Sequence, residues 1–166
     1  NNFTFNNAVN LTITGTMTVS GNLIITATGN INTGTIAVAG NITTTETVIG
    51  GSGTIQVNGT GAQILQVNGS GGTGRLTNFS INKTAGTLTI NDTIELDSGN
   101  ASSAWTYTQG TVDASNSTIS FRNSGNVSVD SGTMSFNNVI FNAGANFTIN
   151  GNPNLSKDLV KYLKRR

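Results

Sequence analysis

Neither cysteine nor histidine occurs among the 166 residues of this chain. A disulfide scaffold, a thiolate metal site, a cysteine nucleophile and any histidine-dependent triad are therefore excluded. Charge is scarce too: 9% of residues are Asp, Glu, Lys or Arg, and the formal net charge is +1. Chains that stay disordered combine high net charge with few β-branched residues, whereas Val, Ile and Thr abound here, so a folded domain is expected. No apolar run approaches the roughly twenty residues that span a membrane as a helix. The chain opens on Asn1 rather than Met, which suggests a removed signal peptide or excision from something longer.

The space left by charge is taken by Thr, Asn, Ser and 21 glycines. From Leu11 to Val57 a short unit recurs, in which an apolar, a small polar and a second apolar residue are followed by a Gly or Asn corner. Leu11/Ile13, Met17/Val19, Leu23/Ile25, Ile36/Val38 and Ile55/Val57 are its apolar pairs. Alternation of this kind buries one face of a short strand. Strands restart too soon for an ordinary meander, and self-similarity over roughly twenty residues marks a repeat architecture. The pattern predicts an all-β, single-domain, right-handed parallel β-helix of about six to seven turns over residues 1–151. Its turns are placed at 3–22, 23–41, 42–63, 64–87, 88–118 and 119–139, with a part-turn to 149 and a protruding loop at 97–104. Asn-Gly corners also signal hairpins, which keeps antiparallel β as the rival fold.

Residues 152–166 abandon the two-residue period. Leu155, Leu159, Val160 and Leu163 fall at helical spacing, Ser156 suits an N-cap, and cations gather at the C-terminal end. A short amphipathic helix capping the last turn is expected. A membrane-surface or nucleic-acid-binding tail is the alternative, because the segment holds five basic residues and one acid. At the other end nothing covers Phe3, Phe5, Leu11 and Ile13, and Glu46 is the only charged residue before Arg75. An exposed sheet edge is expected there, fit for stacking against another copy.

Candidate chemistry is thin. The acids nearest to a cluster are Asp92, Glu95 and Asp97, while Asp113 and Asp130 stand about one turn apart, with Arg122 between them in sequence. With Trp105 as an aromatic platform, Asp92, Glu95, Asp97 and Asp113 are the candidates for a sugar site, though solvating charge accounts for them more simply. No catalytic residue, metal or cofactor is assigned. Up to Gly151 there are three cations against six acids, which repels nucleic acid. Thr-x-Thr pairs such as Thr12/Thr14 and Thr16/Thr18 raise ice binding, but they drift in phase. Asn-x-Ser/Thr acceptors at Asn10, Asn41, Asn58, Asn68, Asn91, Asn100, Asn116 and Asn126 are candidate glycosylation sites in an exported protein.

Residues 22–60, NLIITATGNINTGTIAVAGNITTTETVIGGSGTIQVNGT, resemble the haemagglutinin-type repeats of large secreted bacterial adhesins, and AWTYTQGTVDASNSTISF is similar to repeats of long microbial surface proteins. The resemblance covers residues 3–150 loosely. It implies export to the cell surface, an extended right-handed solenoid, and a role in adhesion, matrix or display. The expectation is a secreted, non-enzymatic structural solenoid that forms oligomers or filaments by end-to-end stacking, with surface glycans as further candidate partners. A polysaccharide-binding or polysaccharide-degrading β-helix and a viral or phage fibre segment are the other readings.

Overall fold

The computed structural model describes residues 1–6, 8–26, 29–45, 49–67, 72–97, 103–122, 125–142, 146–155 and 159–161. Every strand pair among them is parallel, which removes the antiparallel alternative. The chain winds as a three-faced β-solenoid. On the first face Phe3–Phe5, Leu23–Ile25, Ile42–Thr44 and Gln63–Val67 stack in order, followed by 87–91 and 111–113. The second face runs from Thr73–Leu76 through 93–96, 118–121 and Asn138–Phe141 to Leu159–Lys161. The third is unbroken: 16–19, 35–38, Thr54–Val57, 78–81, 103–106, Val127–Asp130 and Phe147–Asn150 are seven stacked strands, hence six full turns.

Inward positions stack like on like, as the alternation requires. Leu23, Ile42, Leu65 and Ile90 lie in register on the first face, and Ile36, Ile55, Phe79, Trp105 and Val129 on the third. All of these are at most 3% exposed. Each such side chain contributes about 1.5–3 kcal/mol of burial, set against the entropy of ordering the chain. Corners add side-chain ladders to the backbone ones. The Asn22 N–H donates to Asn2 Oδ1, that of Asn41 to Asn22 Oδ1 and that of Ile64 to Asn41 Oδ1, each at 2.9 Å. Gly51 sits at φ +97 with its Cβ direction blocked 2.2 Å away by the Ile31 carbonyl oxygen, so only glycine fits that corner.

Two expectations need correction. The turn placed at 88–118 is too long: Val112 already lies over Leu88, so the strand 103–121 carries third-, first- and second-face segments in succession. Its corners were missed because Gly110 is its only glycine. Of the protruding loop expected at 97–104, residues 98–102 lie outside the described residues, and 103–104 are strand.

The described part of the tail is strand rather than helix. Asn154–Leu155 pairs with Ser135–Phe136, and Leu159–Lys161, which includes Val160, pairs with Asn138–Phe141. An unfilled edge offers a row of backbone partners, and in so short a segment those outweigh helical spacing. Residues 156–158 and 162–166, with Leu163 of the expected cap, lie outside the described residues.

Candidate functional site

The first turn pairs on one side only among the described residues: Phe3–Phe5 with Leu23–Ile25, and Leu11–Val19 with Gly29–Val38. Phe3 N–H donates to Asn22 O at 2.8 Å, Phe5 O accepts from Thr26 N–H at 2.9 Å, and Val19 O accepts from Ala39 N–H at 2.9 Å. Alternate residues of a parallel strand turn their backbone groups to opposite neighbours, so Thr4 and Thr18 direct theirs to the open side. The core reaches that edge incompletely covered. Phe5 and Ile13 are buried, whereas Phe3, Leu11 and Met17 are half-buried and Val9 is 52% exposed. No lysine or proline, the usual guards of an edge, stands on either strand.

The sugar-site candidates do not converge. Trp105 is fully buried on the third face, against Phe79 and Phe136, and offers no platform to a ligand. Asp113 is on the first face, in register with Thr89. Its carboxylate accepts from the Ser115 hydroxyl at 2.7 Å and N–H at 3.1 Å, and these bonds hold its pKa below the ordinary aspartate value. Asp130 pairs with Thr106 on the third face, so the two acids do not stack. Asp92, at φ 67, accepts the Val67 N–H at 3.2 Å and shapes a corner. Glu95 and Asp97 do come together on the second face, with Arg75, which sequence reasoning passed over, and Arg122, which it had placed between Asp113 and Asp130. Arg75 Nε lies 2.9 Å from Glu95 Oε2, Arg122 Nη1 lies 3.0 Å from the same oxygen, and Arg75 Nη1 lies 3.9 Å from Asp97 Oδ2. The signal was available, since Arg75 and Glu95 are one repeat apart.

A second missed cluster lies inside the corner between the third and first faces. Lys83 is 1% exposed, and its Nζ donates to Gly59 O at 2.6 Å, Gly61 O at 2.9 Å and Gln63 Oε1 at 2.6 Å. Gln63 Nε2 in turn donates to Val38 O at 3.0 Å and Gly40 O at 2.5 Å. Each side chain thus satisfies the corner carbonyls of the preceding turn. The three acceptors match the three ammonium protons but none carries charge, so burial prevails and lowers the Lys83 pKa from 10.5. The unfolded chain then holds that proton more tightly than the folded one. Stability therefore rises with pH between the lowered value and 10.5, and this contribution is flat below that window. Urea midpoints at pH 8 and pH 10.5 test this, with Lys83→Met as the reference in which the increment is expected to vanish.

On the outer third face Thr16, Thr35 and Thr54 are in register, but the neighbouring file reads Thr18, Ala37, Gln56 and breaks any regular hydroxyl array. Among the acceptor asparagines, Asn10, Asn116 and Asn126 are exposed, Asn58 and Asn91 are half-buried, and Asn41 is half-buried with its oxygen engaged. Asn68 and Asn100 lie outside the described residues. Among the described residues no group of three or more metal-ligating side chains occurs, and no helix is long and apolar enough to cross a membrane. The chain matches no protein-family model, and no similar curated protein or solved structure was found.

Proposed function

We propose that this chain is a secreted, non-enzymatic structural β-solenoid, a subunit of an extracellular filament or surface adhesin that joins its neighbours through open sheet edges. Stacked parallel ladders supply stiffness along the axis. Faces rich in Thr, Asn and Ser and nearly free of charge supply solubility and lateral contact. The observation that carries this reading is the first turn, which among the described residues turns backbone groups of Thr4 and Thr18 to an unpaired side, leaves the core residues Phe3, Leu11 and Met17 half-buried, and has no guard residue on either strand. A heterologous contact at such an edge does not close on itself and grows a fibre.

Light scattering coupled to size exclusion, with electron microscopy, tests the assembly across protein concentration. The wild-type chain is expected to form oligomers or filaments that lengthen with concentration. Thr4→Pro and Thr18→Pro remove only outward-facing N–H groups and are expected to give monomers of nearly unchanged melting temperature. A wild-type protein that stays monomeric at every concentration refutes the reading. A trimer of fixed mass transfers it to a fibre segment.

A further inference from the structure

The ion pairs found among the described residues all lie on the second face. They form a file of alternating sign, in the order Asp97, Arg75, Glu95, Arg122. Glu95 is the pivot: its side chain is 9% exposed, and its carboxylate takes Arg75 Nε at 2.9 Å and Arg122 Nη1 at 3.1 and 3.0 Å. Asp97 flanks Arg75 at the near end. The far end is different, because Arg122 has no anion besides Glu95 among the described residues and its side chain is 39% exposed. A guanidinium carries five N–H donors in a planar fork, and among the described residues only Nη1 of Arg122 is engaged. Between Thr73, Arg75, Glu95 and Arg122 lies an open recess of about 200 Å³, lined mainly by polar surface.

The file is charge-balanced within itself, but its terminal cation lies beside an open polar recess and has donors to offer a further carboxylate. The unused fork of Arg122 matches such a group better than it matches a spherical anion. Thr73 and Glu95 add a hydroxyl and a buried acceptor, the partners that sugar hydroxyls seek. The recess is smaller than the roughly 300–1,000 Å³ of drug-sized pockets, so it takes one ring rather than a chain. We infer that this recess binds a hexuronate residue of an acidic polysaccharide, its carboxylate on Arg122 and its hydroxyls on Thr73 and Glu95. The inference does not depend on the open edge or on assembly, and it makes the second face a ligand-binding surface rather than a reaction centre.

Calorimetric titration of the wild-type protein with glucuronate, glucose, acetate and sulfate tests it. Saturable binding of glucuronate is expected, at least about tenfold tighter than that of glucose, acetate or sulfate. Arg122→Gln and Thr73→Val are each expected to weaken it, Arg122→Gln by about tenfold or more, with melting temperatures close to wild type. Asp113→Asn, which alters a carboxylate on another face, is expected to leave it unchanged. Absence of saturable glucuronate binding overturns the proposal. So does equal binding of acetate or sulfate, which makes the recess a general anion site, or full binding by Arg122→Gln.

Discussion

Replacing Lys83 with methionine is expected to lower the unfolding free energy by about 3 kcal/mol. Methionine keeps an unbranched chain of similar reach in the corner, so little packing is lost. What disappears is the ammonium that satisfies Gly59 O, Gly61 O and Gln63 Oε1. Gly61 is exposed and recovers water, whereas Gly59 and Gln63 are buried. Leaving a buried acceptor unpaired costs about 1–3 kcal/mol. Gly59 O is left so, while Gln63 Oε1 keeps the Gly59 N–H and loses its bond to the ammonium, which puts the loss at the upper end of that range. Gln63→Leu is expected to cost as much, because it strands Gly40 O and the Gly59 N–H, while Val38 O keeps the Asn58 N–H. The two share the bond between Lys83 and Gln63, so the double variant loses less than the sum. Urea denaturation of the three variants measures this, and a Lys83→Met loss within about 0.5 kcal/mol means that the corner is solvated and the lysine dispensable.

Truncating Trp105 to alanine is expected to cost about 4 kcal/mol, near the upper end for an aromatic core residue. The indole is fully buried, with its ring centroid 5.0 Å from that of Phe79 and 5.9 Å from that of Phe136. Its register neighbours Phe79 and Val129 belong to the turns below and above, held apart by the ladder, so the vacated space cannot collapse. Trp105→Phe is expected to cost far less, about 1–2 kcal/mol. The indole Nε1–H is the one buried side-chain polar atom without a hydrogen-bond partner among the described residues, and phenylalanine removes that liability. The pair of substitutions separates volume from polarity. An alanine variant that unfolds no more easily than the phenylalanine one contradicts the packing account.

The winding was legible because its cause is local. Alternating pairs such as Leu23/Ile25 and Ile36/Val38 give the strands, and Gly-Asn corners such as Gly21-Asn22 and Gly40-Asn41 close the turns. In the first half the register could be drawn almost as observed, with Phe3, Leu23 and Ile42 superposed. Further on it slipped, because Asp92 makes a corner at positive φ without glycine and the strand 103–121 bends past only one. The tail misled for a related reason: the spacing of Leu155 and Leu159 suits a helix, but an open ladder edge nearby decides the outcome. Site chemistry was harder to read, since function needs juxtaposition between turns. Trp105 and Asp113 read as neighbours eight positions apart, yet they occupy different faces. Arg75, Glu95 and Arg122 are scattered in the chain and touch only because successive turns stack.

The corner held by Lys83 also bears on how the polypeptide ages. Asn58-Gly59 is an Asn-Gly dipeptide, the kind most prone to spontaneous deamidation. The reaction begins when the glycine nitrogen, giving up its proton, attacks the asparagine carboxamide carbon and expels the side-chain nitrogen as ammonia to form a succinimide ring. Here that nitrogen donates its proton to Gln63 Oε1 at 2.9 Å in a buried bond, and Lys83 pins the same oxygen. Ring closure requires this clasp to open first. The lysine that braces the turn therefore also guards a labile peptide link.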